Sequence, residues 1–275
     1  MGSLDEIASW PVEHAAAAVT DPTTTLERAG NQTWRVRIAS VTKPLVAYAT
    51  LLAVEEGSLG LDDPAGPPGS TVRHLLAHAS GLPFEGDVPI ARPAQRRVYS
   101  NTGFEVLGAT LAEATGMTIA DYLRDGVLAP LGMDATELRG SPAADVHSSV
   151  DDLVRFAREL LSPTLLAPGT LADATTEQFA GVGGVIPGLG RFTPNPWGLG
   201  FEIKGPKGTP GTRPHWTAPD GSPRTFGHFG GSGTFLWVDP DAQLACVTLT
   251  DRPFDGWALP LWSDLSSKVL ATHRR

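Results

Sequence analysis

The sequence predicts an α+β fold in which one antiparallel β-sheet, flanked by terminal helices, carries an inserted all-helical lobe. Three observations predict it. Strand-like segments stand at both ends of the chain: "HAAAAVTD" and "TTTLERAG" near the start, "GLGFEI", "GTFLWV" and "QLACVTLT" near the end. Between them, "TVRHLLAHA", "TGFEVLGATLAEATG", "IADYLRDGVLAPLG" and "SVDDLVRFARELL" repeat apolar residues at helical spacing, separated by Pro- and Gly-rich loops. A last amphipathic segment, "WALPLWSDLSSKVLATH", closes the chain as a helix. Strands from both ends that share a sheet, with helices inserted between them, leave two interlocked lobes and a cleft. The expected organisation is one domain over residues 1–275, with an α/β lobe at about 1–65 and 196–275 and a helical lobe at about 66–195.

A short helix opens the chain, and the first two strands turn at Asp21 and Pro22. A helix opened by Ser40 runs to a stop at Gly57. Its residues Leu45, Val46, Ala47, Ala49, Leu51, Leu52, Ala53 and Val54 leave little polar face, so burial on most sides is expected. "GVGGVIPGLG" neither follows a strand nor opens a helix as a dinucleotide loop would, and reads as a flexible loop. "DPDA" turns the chain between the last two strands.

The 275 residues suffice for a sizeable core, and 41% hydrophobic with 19% charged residues is ordinary globular composition. A formal net charge of -9 argues against nucleic acid as a partner. No basic n-region precedes an apolar run and no stretch is long enough to span a bilayer, so a cytoplasmic location without membrane attachment is expected. The single cysteine, Cys246, leaves no internal disulfide and sits in an apolar strand, where a buried thiol is expected. His74 and His78 have the spacing of zinc ligands but no accompanying ligand set, so no metal and no cofactor is expected.

Three short stretches carry chemistry. In "RIASVTKPLVAYATLL", Ser40 and Lys43 stand one helical turn apart at a helix start, where their side chains can meet. A serine hydroxyl needs a neighbouring base to become a nucleophile, and a lysine whose charged form is disfavoured by burial can be that base. Pro44 is tolerated because the first turn needs no internal N–H partner. In "RRVYSNTGFEVLG", Tyr99 offers a phenol that can relay a proton, and Asn101 an amide that both donates and accepts. In "TFGHFGGSGTFLWV", His228 and Phe229 precede Gly230 and Gly231, where a substrate can approach the backbone and an N–H can serve an oxyanion. Taken singly, each has a plainer reading: a helix-capping serine with a surface lysine, a second cap, and a glycine-rich turn.

Taken together and in this order, the three resemble the serine β-lactamase and penicillin-binding-protein superfamily, nearest the class C β-lactamases, the DD-peptidases related to them and the family VIII carboxylesterases. "EEGSLGLDDP", "TVRHLLAHASGLP", "LAPLGM", "SSVDDLVRF" and "WGLGFEI" extend the resemblance over about residues 35–270. It implies an α/β lobe and an all-helical lobe with the site at their junction. It further implies that Ser40 is acylated, Lys43 takes its proton and Tyr99 passes protons to the leaving group and from the deacylating water. Asn101 would bind Lys43 and the acyl side, and the N–H groups of Ser40 and Gly231 would form the oxyanion hole.

The third motif departs from the family. Its basic residue is followed by Phe229 where a Thr or Ser normally helps to hold a substrate carboxylate, and His228 is mostly neutral at pH 7 in an ordinary setting. Arg213 and Arg224 are the remaining candidates for that role. The resulting expectation is a metal-independent serine hydrolase acting through an acyl-enzyme, a carboxylesterase on small or medium esters. The other readings are a β-lactamase or DD-peptidase-type amide hydrolase, and a catalytically silent ligand-binding module of the same fold. The expected partner is a small-molecule ester or amide; oligomeric state is not legible.

Overall fold

A computed structural model of the chain describes residues 2–207 and 215–274. After a 3-10 helix at Asp5–Ser9 come β1 (Ala15–Thr20), β2 (Thr25–Ala29), β3 (Val36–Arg37), α1 (Thr42–Glu55) and α2 (Val72–Leu76). The middle supplies β4 (Arg97–Val98), α3 (Asn101–Thr115), α4 (Ile119–Leu123), β5 (Glu137–Leu138), β6 (Val146–Ser148), α5 (Val150–Leu161) and α6 (Pro168–Ala174). Then follow β7 (Gly184–Ile186), β8 (Gly190–Phe192), β9 (Glu202–Ile203), β10 (Phe226–Gly230), β11 (Thr234–Asp239), β12 (Leu244–Thr250) and α7 (Ala258–His273).

The main sheet has six strands in the order β2-β1-β12-β11-β10-β9, with every neighbouring pair antiparallel. Strands from the two ends of the chain thus meet at the β1–β12 pair, as the terminal strand patterns predict. Both faces are covered, and the side-chain period of two sorts residues between them. Ala16, Ala18, Leu236, Val238, Val247 and Leu249 face a core shared with α1, α3 and α5. Ala17, Val19, Phe235, Trp237, Leu244 and Cys246 face a second core under α7, with Trp10 and Ile7 of the amino-terminal turn. Cys246 is buried there, and burial pushes its thiol up to about 12, so it is a packing residue.

The inserted segment is mainly helical and holds the three-stranded sheet β4-β7-β8; its strands β5 and β6 make a second small sheet, β3-β6-β5, with β3 from the α/β lobe. Sheet β4-β7-β8 corrects the flexible-loop reading of "GVGGVIPGLG": β7 pairs in parallel with β4, and β8 folds back on β7. The reason is tight backbone packing. A Cβ on Gly184 would lie 2.2 Å from the Arg97 carbonyl oxygen, so a glycine is what lets these strands approach, and glycine carries no strand signal in a sequence. Helix α1 is buried on almost every side, including Lys43, Tyr48 and Thr50. Among the described residues no helix is long and apolar enough to cross a bilayer.

Candidate active site

Ser40 sits in a 3-10 turn, Ala39–Val41, that leads into α1. Two hydrogen bonds pin this turn. The Ile38 N–H donates to the Val146 carbonyl (2.9 Å), and Thr234 Oγ1 donates to the Ile38 carbonyl (2.9 Å). Strand β10 runs so close behind it that a Cβ on Gly230 would lie 2.3 Å from the Ile38 oxygen. The cost appears at Ala39, which is held at φ 46°, a left-handed conformation that strains a residue with a Cβ. Gly230 therefore acts by close packing behind the turn. Ser40, half-buried, points into the cleft between β10 and α1.

Lys43, one turn on, is fully buried. Its Nζ donates to Asn101 Oδ1 (2.7 Å) and to the Ala143 carbonyl (2.9 Å), and lies 3.4 Å from Ser40 Oγ. Burial lowers its pKa well below the ordinary lysine value; the exposed Glu105 opposes this and Arg37 adds to it. A neutral amine has two N–H donors and one lone pair. With both donors taken by Asn101 and Ala143, the lone pair is left for the Ser40 hydroxyl.

Asn101 reaches Lys43 because Ser100 fixes where α3 begins. The Ser100 side chain caps α3 by accepting from the Gly103 N–H (2.8 Å), which makes Asn101 the first helical residue. Tyr99, buried, packs against His78 with the rings tilted and their centroids 4.5 Å apart, and its ring lies 4.7 Å from Lys43 Nζ. Burial raises its pKa while a hydrogen bond with Ser40 lowers it; burial wins, so Tyr99 is a phenol at neutral pH. His78 is structural: its Nδ1 accepts from the Ser100 N–H (3.1 Å). His74 bonds Thr71 through Nδ1 (2.9 Å) and packs at a tilt against Phe179.

His228 is fully buried, with Nδ1 2.6 Å from the Phe229 carbonyl. A carbonyl only accepts, so Nδ1 carries the proton and Nε2 presents a lone pair, 3.4 Å from the Tyr99 hydroxyl. Burial and the Lys43 charge lower the His228 pKa to about 3, so it is neutral at pH 7. Phe229 belongs to an aromatic wall, 4.8 Å from Phe254 between centroids and also against Trp216 and Trp262.

These side chains enclose a cavity of about 290 Å³ lined by Ser40, Tyr99, Trp197, His228, Phe229, Gly231 and Phe254, with the 186–188 turn and Phe84 at its rim. The structure brings Ser40, Lys43, Tyr99 and Asn101 together, and His228 behind Tyr99. Of the two fallback anchors, Arg224 is exposed and pairs with Asp241, and Arg213 lies outside the described residues. Among the described residues the group able to hold a metal is Glu13, His14 and Asp251, exposed and not part of this cavity. Sequence reasoning missed Ala143, whose contribution is a carbonyl. Only the neighbouring Thr42 hints at it, since Thr42 Oγ1 accepts from the Val146 N–H and so holds that loop against α1 (3.0 Å).

The sequence profile of the β-lactamase family matches residues 15–263. This chain belongs to the β-lactamase family. A crystal structure described as a β-lactamase from Mycobacterium bovis superposes with a TM-score of 0.96 at 51% identity, covering 99% of this chain and 100% of that one. Esterase EstB of Burkholderia gladioli is 26% identical over 86% of this chain and 82% of its own length. A penicillin-binding protein of Bacillus subtilis is 31% identical over 52% of this chain; the match spans 43% of that relative, less than half its length.

Proposed function

We propose that this family member is a serine carboxylesterase working through an acyl-enzyme on Ser40. The observation that carries the reading is the character of the cavity wall. Among the described residues none that lines it is Arg or Lys, and its one titratable base, His228, is neutral. A β-lactam or D-alanyl peptide brings a carboxylate close to the reacting carbonyl. Here that carboxylate would be desolvated against Phe229 without a charge-assisted partner, which costs free energy. A neutral ester loses nothing there. EstB, similar over most of its length and named an esterase, supports the same reading.

In this reading each residue has one role. The Lys43 lone pair takes the Ser40 proton as Oγ attacks the ester carbonyl. The N–H groups of Ser40 and Gly231 face the developing oxyanion. Tyr99 gives its proton to the leaving alkoxide and recovers one from Lys43. The reverse relay, from water through Tyr99, hydrolyses the acyl-enzyme. The test compares p-nitrophenyl butyrate with the chromogenic cephalosporin nitrocefin. The expected result is a clearly higher kcat/KM for the ester, with the acyl group found on Ser40 by mass spectrometry. Phe229→Thr is expected to shift the ratio toward nitrocefin. A wild type that prefers nitrocefin makes amide hydrolysis the correct reading.

A further inference from the structure

Beside the Ser40 cavity lies a second groove of about 240 Å³, and the two share Phe84, Tyr99 and Pro187. Its floor is built by strand register. Val98 on β4 is paired with Val185 on β7, which is paired with Arg191 on β8, so the three side chains form one row across the small sheet. Its wall is the loop carrying Phe84 and Ile90. Among the described residues the large apolar side chains left exposed are Phe84 (44%), Val88 (71%), Ile90 (54%) and Val185 (43%). Three of these four line this one groove and the fourth lies in the same loop. Scattered exposed apolar residues need no explanation, but a cluster continuous with a catalytic cavity marks a binding surface.

The groove's charge differs from that of the molecule. The chain carries -9 overall, yet the groove lining contains Arg96, Arg97 and Arg191 and no acidic residue. Arg97 is buried and spent on the carbonyls of Ala77, Gln178 and Asn195. Arg96 and Arg191 are exposed, and among the described residues neither has a carboxylate within ion-pair distance, although Glu85 and Asp87 lie on the same wall loop between Phe84 and Ile90. Arg96 is held along the groove by donating to the Ile90 carbonyl (2.6 Å).

We propose that this groove takes one arm of the substrate, a linear aliphatic arm ending in a carboxylate or phosphate that Arg96 and Arg191 recognise. The proposal rests on the esterase reading and deepens it. Among the described residues an anionic group next to the scissile bond finds no charged partner, whereas one at the far end of an apolar arm finds two. The cavity around Ser40, at the small end of the range for small-molecule sites, holds the reacting ester; the groove adds length.

The experiment measures kcat/KM for two ester series, one lengthened on the acyl side (methyl acetate to methyl decanoate) and one on the alcohol side (ethyl to decyl acetate). Each is run beside its counterpart with a terminal carboxylate. In one series kcat/KM is expected to rise about twofold per methylene, below the fourfold of full burial because the groove is open to solvent. The terminal carboxylate is expected to add about five- to tenfold at low salt, lost in the Arg96→Glu/Arg191→Glu double variant. Val185→Asp is expected to flatten the length dependence, and all these variants to keep p-nitrophenyl acetate turnover within twofold. Indifference to length in both series, or a carboxylate preference that survives in the double variant, overturns the groove assignment while leaving the esterase reading intact. If no ester is hydrolysed, that reading fails instead, and the groove is tested by calorimetric binding of decanoate, an aliphatic arm with a single terminal carboxylate, to Ser40→Ala. Binding that the double variant weakens upholds the groove; absent or unchanged binding overturns it.

Discussion

Two lysines in this molecule are almost equally hidden and differ in what faces them. Lys207 lies against the buried carboxylate of Glu202, which also accepts from Trp216 Nε1 (2.9 Å) and contacts His215 Nε2 (3.0 Å). Among the described residues the partners of Lys43 are all neutral: Asn101, Ala143 and Ser40. Burial lowers the pKa of both, but at Lys207 the Glu202 charge opposes it directly. Burial would likewise raise the Glu202 carboxyl, yet Lys207 and His215 hold it well below the usual carboxylate range, so that pair is ionised. A buried lysine with a carboxylate is a structural cation. One facing only amide, carbonyl and hydroxyl oxygens is a base in waiting. That difference, more than the serine–lysine spacing itself, is what supports the proposal of Lys43 as the base and of Lys207 as a packing residue.

Removing each lysine's function breaks the comparison most sharply. Lys43→Ala is expected to lower kcat for p-nitrophenyl butyrate by about 10²–10⁴-fold, the usual worth of a positioned acid–base group. Since Lys43 makes no ion pair, Lys43→Met is expected to be equally inactive yet to melt within a few degrees of wild type in a calorimetric scan. A variant that keeps near-normal kcat shows that Lys43 is not the base.

Glu202→Gln attacks the other lysine. It strands a buried cation, and the expected loss is about 3–5 kcal/mol of stability, read from urea unfolding. Adding Lys207→Met is expected to restore most of it. If Glu202→Gln is as stable as the parent, Lys207 is not held by that charge.

Asn101→Asp makes the two sites alike. A carboxylate beside Lys43 favours the ammonium, so its pKa rises, typically by about 1–3 units. Activity needs the neutral amine and grows as pH rises through that pKa. The acid limb of kcat/KM is therefore expected to move to higher pH, with activity lost on the acid side and progressively recovered on the alkaline side. A uniform loss across pH would mean that Asn101 orients substrate and leaves the lysine's proton affinity alone.

How far the sequence reached can be read from particular residues. Ser40 and Lys43 were legible because their meeting depends on helix geometry alone, three residues being one turn at a helix start. The strands β1, β11 and β12 and the helices α1, α3, α5 and α7 were legible because burial imposes a period of two or of 3.6 on apolar residues. Cys246 and the capping role of Ser100 belong to the same local grammar. What only the tertiary structure decided depends on groups distant in the chain or on the backbone itself. The Ala143 carbonyl that takes one of the Lys43 donors comes from 100 residues away, and any residue supplies a carbonyl. The neutral state of His228 follows from burial beside Lys43 and from a bond to the next carbonyl. The hairpin at 184–192 rests on a glycine that permits close approach, and with it come the cavity rim and the neighbouring groove. Proton affinity and cavity shape are set by everything within a few ångströms, which is why motif spacing located this site and folding alone determined its charge and its walls.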